Sequence, residues 1–158
     1  MIISFELNGR TTEAEIAADA CLMDTLRSLG CASVKCGCDT TNCGMCTVIV
    51  EDRPVLSCAY LSARVNGKKV TTLEGMQEEA EIFAGYMAAE GADQCGFCNP
   101  GFVVNVIALK RSLREKEGKD ISTEEIREFL AGNICRCTGY ASQERAITGY
   151  LCETVSKD

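Results

Sequence analysis

The run Val34-Lys-Cys-Gly-Cys-Asp-Thr-Thr-Asn-Cys-Gly-Met-Cys-Thr-Val48, with Leu56-Ser-Cys58 behind it, holds cysteines in the order Cys38-x4-Cys43-x2-Cys46 and then Cys58. That is the spacing of a plant-type [2Fe–2S] site. One loop supplies three thiolates, and the strand Arg53 to Cys58 carries the fourth alongside through a hairpin. Gly37 and Gly44 flank ligands, where glycine lets backbone N–H groups turn toward an anionic cluster. A zinc site with four thiolates is the alternative. It fits less well, because such sites generally use two short paired-cysteine knuckles.

Working outward, Thr47-Val-Ile-Val50 and Pro54-Val-Leu56 flank the polar turn Glu51-Asp52-Arg53 and read as that hairpin. Ile2 to Leu7 alternates apolar and polar residues before Asn8-Gly9, a tight-turn signal, so a strand at Thr12 to Ile16 should pair back. Leu22, Leu26 and Leu29 form the stripe of a short helix that Gly30 can end. Lys69 to Leu73 reads as a last strand after the Asn66-Gly67 turn. The first half is therefore expected to be a small mixed sheet crossed by one helix.

After Glu74 the apolar period changes. Met76, Ala80, Phe83 and Met87 have helical spacing, as do Phe102, Val106, Leu109 and Leu113 behind Pro100, a residue suited to a first helical turn. Ser122-Thr-Glu-Glu125 matches a capping box ahead of Ile126, Phe129 and Leu130, and a last helix is expected from Ser142 through Ile147 and Leu151. The second half thus reads as a bundle of four short helices, which gives domains 1–74 and 75–158. Two further cysteine pairs, Cys95-Gly-Phe-Cys98 and Cys135-Arg-Cys137, each precede a predicted helix. The partial positive charge of a helix N-terminus would favour thiolates there. On spacing alone this quartet suits a second iron–sulfur cluster, a zinc ion or a dithiol.

The chain has 158 residues, 12 of them cysteine and none histidine. So much cysteine with no secretory signal points to metal or redox chemistry and a cytoplasmic setting. The lack of histidine excludes Cys/His zinc fingers, Rieske centres, histidine-ligated haem and a Ser-His-Asp triad. A net charge of −7 with no basic patch argues against nucleic acid, and no apolar run is long enough to span a bilayer. Lys110, Arg111, Arg114 and Lys116 read as a solvated helix end, the five phenylalanines as mostly core, and Tyr140 as packed on the bundle. Cys21, Cys31, Cys36 and Cys152 read as free thiols without a role.

Taken in order, the Val34 to Val48 run, Leu56-Ser-Cys58, Thr72-Leu-Glu-Gly75, Gln94-Cys-Gly-Phe-Cys-Asn-Pro-Gly101 and Cys135-Arg-Cys-Thr-Gly-Tyr140 resemble the small iron–sulfur subunit of the xanthine dehydrogenase, or molybdenum hydroxylase, family. The resemblance covers nearly the whole chain. It implies an α+β protein: a plant-ferredoxin-like β-grasp domain with one [2Fe–2S] cluster, then a four-helix domain with another. It also implies no substrate site, and a relay of electrons from a large molybdenum–pterin subunit to a medium FAD subunit within a hetero-oligomer. By that carry-over Cys95, Cys98, Cys135 and Cys137 hold the cluster nearer molybdenum, and Cys38, Cys43, Cys46 and Cys58 the one nearer FAD. Gln94 and Cys137 contact the pterin. A xanthine or other purine dehydrogenase is the first expectation. Aldehyde, carbon monoxide, nicotinate and hydroxybenzoyl-CoA enzymes, or a free-standing two-cluster ferredoxin, are alternatives. Thr41, Met45 and Asn99 depart from the common pattern, where Gly, Ala, and Thr or Ser are usual. At Thr41 a left-handed backbone would cost more than it does for glycine.

Overall fold

A computed structural model describes residues 1–114 and 121–155. Strands β1 (Ile2–Leu7) and β2 (Arg10–Glu15) form an antiparallel hairpin in which Leu7 pairs with Arg10. Asn8 and Gly9 both sit at positive φ, 51° and 79°, the two-residue turn that matches strand twist. Helix α1 (Leu22–Ser28) follows, then the cysteine loop, then β3 (Thr47–Val50), β4 (Arg53–Leu56) and β5 (Lys69–Thr71). The sheet order is β2-β1-β5-β3-β4, parallel only between β1 and β5. The turn after β3 is tighter than its sequence suggested. Glu51 and Asp52 take it alone at positive φ, and Arg53 already pairs with Val50.

Several expected boundaries move, and β2 runs over Arg10–Glu15 rather than Thr12 to Ile16. Beyond Thr71 the chain leaves the sheet for a 3-10 turn over Leu73–Gly75, so the strand is shorter than Lys69 to Leu73. In α1, Leu22 and Leu26 are buried as expected, but Leu29 lies past the helix end and is exposed. Cys31 and Val34, from the loop, complete that part of the core instead.

Among the described residues, the second half is four helices: α2 (Gln77–Ala89), α3 (Asn99–Arg114), α4 (Thr123–Leu130) and α5 (Ala141–Val155). The capping box forms. Ser122 Oγ accepts from the N–H of Glu125, whose carboxylate accepts from the N–H of Ser122. Phe83, Phe102 and Tyr150 stack at the bundle centre, with ring centroids 5.9 Å apart for Phe83–Phe102 and 5.0 Å for Phe83–Tyr150.

Strand β3 belongs to both cores. All four of its residues are buried; Val48 and Val50 face the helix α1 side, whereas Ile49 packs into the helical core on α3. The uninterrupted apolar run Val-Ile-Val is what a strand covered on both faces requires.

Lys110, the first residue of the basic stretch, does not lie on a solvated face. Lys110 is buried, its Nζ 4.3 Å from the Tyr150 ring centroid and within 3.2 Å of Tyr150 Oη, to which it donates. Arg111 pairs with Glu79 on α2. The side chain of Arg114 and all of Lys116 lie outside the described residues. Among the described residues no helix is long and apolar enough to cross a membrane.

Candidate metal centres

The loop from Cys31 to Cys46 bends around Cys38. Backbone N–H groups of Asn42 and Thr40 point at its sulfur, followed by the Cys43 thiol, and they hold the Cys38 thiol down at about 6. This is the inward turn of amides that the glycines beside the ligands suggested. Thr41 takes the left-handed backbone expected to be costly there, at φ 55°. Gly37 lies against the Met45 side chain. A Cβ on it would run into Met45 Sδ and sit 3.2 Å from Cys43 Sγ.

Cys58 is not on the strand. Strand β4 ends at Leu56, and Cys58 sits in a single 3-10 turn, Ser57–Ala59. That turn is tied to the loop by Ser57, whose Oγ donates to the Cys46 carbonyl at 2.7 Å. Cys46 and Cys58 lie side by side, and Cys38 lies beside Cys43. Burial, followed by the adjoining Cys46 thiol, pushes Cys58 up to about 12, and burial also raises Cys43. Paired thiols this close cannot all ionise without a cation between them. A metal that deprotonates its ligands outright supplies that cation.

The second quartet assembles where two helices begin. Cys98 leads α3, its carbonyl accepting from the Phe102 N–H at 3.1 Å, and Cys135 and Cys137 lie on the loop into α5. The structure pairs these sulfurs across the two segments: Cys95 with Cys137, 3.5 Å apart, and Cys98 with Cys135. The N–H of Phe97 lowers Cys95, while burial, then Cys135, drives Cys98 up to about 11. Cys137 is raised by Cys95. For Cys135, burial opposes ionisation but is outweighed by the Thr138 hydroxyl, which donates to its sulfur at 3.2 Å, and by the N–H groups of Thr138 and Cys137.

Tyr140 and Phe97 are not core. Both are exposed at this site. Tyr140 Oη accepts from the Cys135 N–H at 2.9 Å, and Lys35 lies 4.9 Å from the centroid of Phe97. Gln94 is exposed next to Cys95, and Cys95 and Cys137 are exposed as well.

The two quartets adjoin. The N–H of Ile134, the residue before Cys135, donates to the carbonyl of Cys43 at 3.0 Å. Gly44, at φ 76°, lies so close to the α4–α5 loop that a Cβ would be 2.5 Å from the Gly132 carbonyl oxygen and 2.6 Å from Asn133 Nδ2. Gly101 on α3 meets the other side, where a Cβ would strike the Gly44 carbonyl oxygen and lie 2.9 Å from Met45 Cα.

Glu74 escaped the sequence reading. Its carboxylate accepts from the N–H of Ser33 at 2.9 Å, the hydroxyl of Ser33 at 2.6 Å and the hydroxyl of Thr72, so it ties the segment between the halves to the start of the cysteine loop. Burial works against its charge, but the hydrogen bonds from Ser33 and Thr72 win and hold it below the usual range. Only its place in Thr72-Leu-Glu-Gly75 hinted at this. The remaining thiols are separate. Cys21 donates to Asp24, Cys31 is in the core, Cys36 is exposed with its sulfur 3.7 Å from the Cys38 carbonyl oxygen, and Cys152 is exposed on α5. Among the described residues, no three His, Cys, Asp or Glu side chains are placed to hold one metal ion.

Two family models match the chain: a 2Fe–2S iron–sulfur cluster binding domain over residues 5–70 and a [2Fe–2S] binding domain over residues 72–148. The xanthine dehydrogenase iron–sulfur-binding subunit of Escherichia coli O157:H7 is 40% identical over 140 residues, 87% of this chain and 86% of that one. The chain belongs to the small iron–sulfur subunits of the molybdenum hydroxylases. Other members of this subunit family are also close. The nicotinate dehydrogenase small FeS subunit of Eubacterium barkeri is 35% identical over 92% of this chain and 91% of that one. Quinoline 2-oxidoreductase from Pseudomonas putida 86 contains a chain with the same fold, at TM-score 0.85 and 31% identity, covering 99% of this chain and 96% of that one. As a molybdenum hydroxylase iron–sulfur subunit, the protein carries two [2Fe–2S]-binding domains and transfers electrons within a multisubunit oxidoreductase.

Proposed function

We propose that Cys38, Cys43, Cys46 and Cys58 hold one [2Fe–2S] cluster and Cys95, Cys98, Cys135 and Cys137 the other, in domains 1–74 and 75–158. Electrons enter at the second cluster from a large subunit bearing the molybdenum–pterin cofactor. They leave from the first to a medium subunit bearing FAD. The observation that carries this reading is the single hydrogen bond from the Ile134 N–H to the Cys43 carbonyl, which links a residue adjoining one quartet to a ligand of the other. The clusters supply one-electron carriers when bound. The chain's own work is to fix them, to aim amide and hydroxyl donors at their sulfurs and thereby to set their potentials.

The entry side is supported by exposure. Cys95, Cys137 and Gln94 face outward, rimmed by Phe97, Ile134 and Tyr140, large apolar residues each more than 40% exposed. Such a rim suits burial against a partner. The exposure of Gln94, with amide donors and an acceptor, and of Cys137 on that surface supports a pterin contact there. A purine such as xanthine is the proposed substrate of the complex, in line with the name of the 40% identical relative. The nicotinate dehydrogenase relative and the Escherichia coli K12 aldehyde oxidoreductase iron–sulfur-binding subunit, 32% identical, define the competing substrates.

The test is to tag the chain in its host, purify it anaerobically, and assay the accompanying polypeptides, molybdenum, flavin and iron before offering xanthine, nicotinate and aldehydes. Recovery with a large molybdenum chain and a flavin chain, and reduction by xanthine, is expected. Recovery alone with about four irons would instead indicate a free-standing ferredoxin, and reduction by an aldehyde or nicotinate alone would reassign the substrate.

A further inference from the structure

An amide pair sits at the seam between the two cysteine sites. Asn133, 6% exposed, is two residues before Cys135 and one before Ile134. Its Oδ1 accepts from Asn105 Nδ2 on α3 at 2.5 Å, while its Nδ2 faces Gly44, the residue after Cys43. Its own N–H is spent on the Leu130 carbonyl at 2.8 Å. The side chain of Asn133 is therefore held between the longest helix of the bundle and the first cysteine loop, at the point where the Ile134 N–H reaches Cys43.

We propose that Asn105 and Asn133 are positioning residues for transfer between the clusters. Asn105 anchors Asn133 to the rigid α3, and Asn133 sets how closely the α4–α5 loop approaches Gly44. Together they fix the length of the hydrogen bond from Ile134 to Cys43 and the separation of the two clusters. Neither residue touches a cysteine sulfur, so each cluster keeps its own ligands and donors. What the pair governs is the relation between the clusters, and electron transfer falls steeply as that separation grows. A relay placed on loops needs such support from surrounding hydrogen bonds to hold its geometry.

The inference rests on the two-cluster relay proposed above, and the test separates the two. The full chain, with the subunits that accompany it, is reduced with dithionite and its electron paramagnetic resonance spectrum recorded for wild type, Asn105→Leu and Asn105→Gln. Leucine keeps the branched shape without the donor, and the cavity of about 190 Å³ lined by Gly44, Thr47, Asn105 and Asn133 leaves room for its larger methyl groups. In wild type, two cluster signals split by their mutual magnetic interaction are expected. In Asn105→Leu each signal should keep its g values and midpoint potential while the splitting is lost or reduced and flavin reduction slows. Asn105→Gln, which restores an amide, should recover the splitting. Should the leucine variant fail to take up iron, Asn105→Ser, too short to reach Asn133, is read in its place. Unchanged splitting and an unchanged rate of flavin reduction in the variant overturn the inference and leave the relay intact. A wild-type chain with one cluster signal or none overturns the relay and the inference together.

Discussion

A cysteine of either quartet is defined by what its neighbours donate as much as by its sulfur. Cys38 gathers backbone N–H groups, Cys135 gathers the Thr138 hydroxyl and backbone N–H groups, and Cys58 and Cys98 are pushed toward the neutral thiol by burial. The two quartets are thus separate chemical units. Cys43→Ser is expected to change the g values of the first site's paramagnetic signal alone, the second site keeping its own g values while losing the splitting. Cys137→Ser should change the g values of the second alone, because Cys137 pairs with Cys95, and should also disturb the proposed pterin contact. Equal loss of both signals in either variant would contradict two independent sites. The spacing of the first quartet was legible because three of its members share one loop, where sequence distance and spatial distance agree. The crosswise pairing of the second was not, because Cys95 meets Cys137 only through the packing of α3 and α5.

At the scale of elements, helices and strands were readable from their periods, whereas the joints between them were not. The exchange of Leu29 for Cys31 and Val34 in the core, and the burial of Lys110 on Tyr150, depend on partners remote in sequence. The glycine joint between the first cysteine loop and the α4–α5 loop makes a sharp prediction. Gly44→Ala combines a positive φ with no room for a methyl group and should cost about 3 kcal/mol in denaturant unfolding, through backbone strain and overpacking. Gly30→Ala, also at positive φ but facing open space, should cost only about 1–2 kcal/mol. Equal costs would mean that the close approach contributes nothing. Glu74 gives the matching prediction for the segment joining the halves. Its charged form is favoured by folding, so its contribution is present above the ordinary carboxylate value of about 4.3 and is lost as pH falls through its lower folded value. Glu74→Gln should lose about 1 kcal/mol at neutral pH. Its stability should then fall less steeply than that of wild type as the solution is acidified.

The whole molecule is one sheet strand shared by two cores, with a cysteine quartet on either side of a seam. Strand β3 ends the first loop and supplies Ile49 to the helical core, so the two sites are held by the same rigid piece of backbone. The sequence divides into halves at the change of period near Glu74, and that division conceals how firmly β3 and α3 join them. The amide pair and the Ile134 hydrogen bond belong to this scale, and no local pattern announces them. They are also where the account is most exposed. The decisive measurement is the half-reaction of the anaerobic complex carrying Cys43→Ser, mixed with the substrate that the wild-type complex oxidises, while iron–sulfur and flavin absorbance are followed. The account predicts that the second cluster is reduced promptly while the flavin stays oxidised. Flavin reduction at the wild-type rate would show that electrons do not pass through the first site.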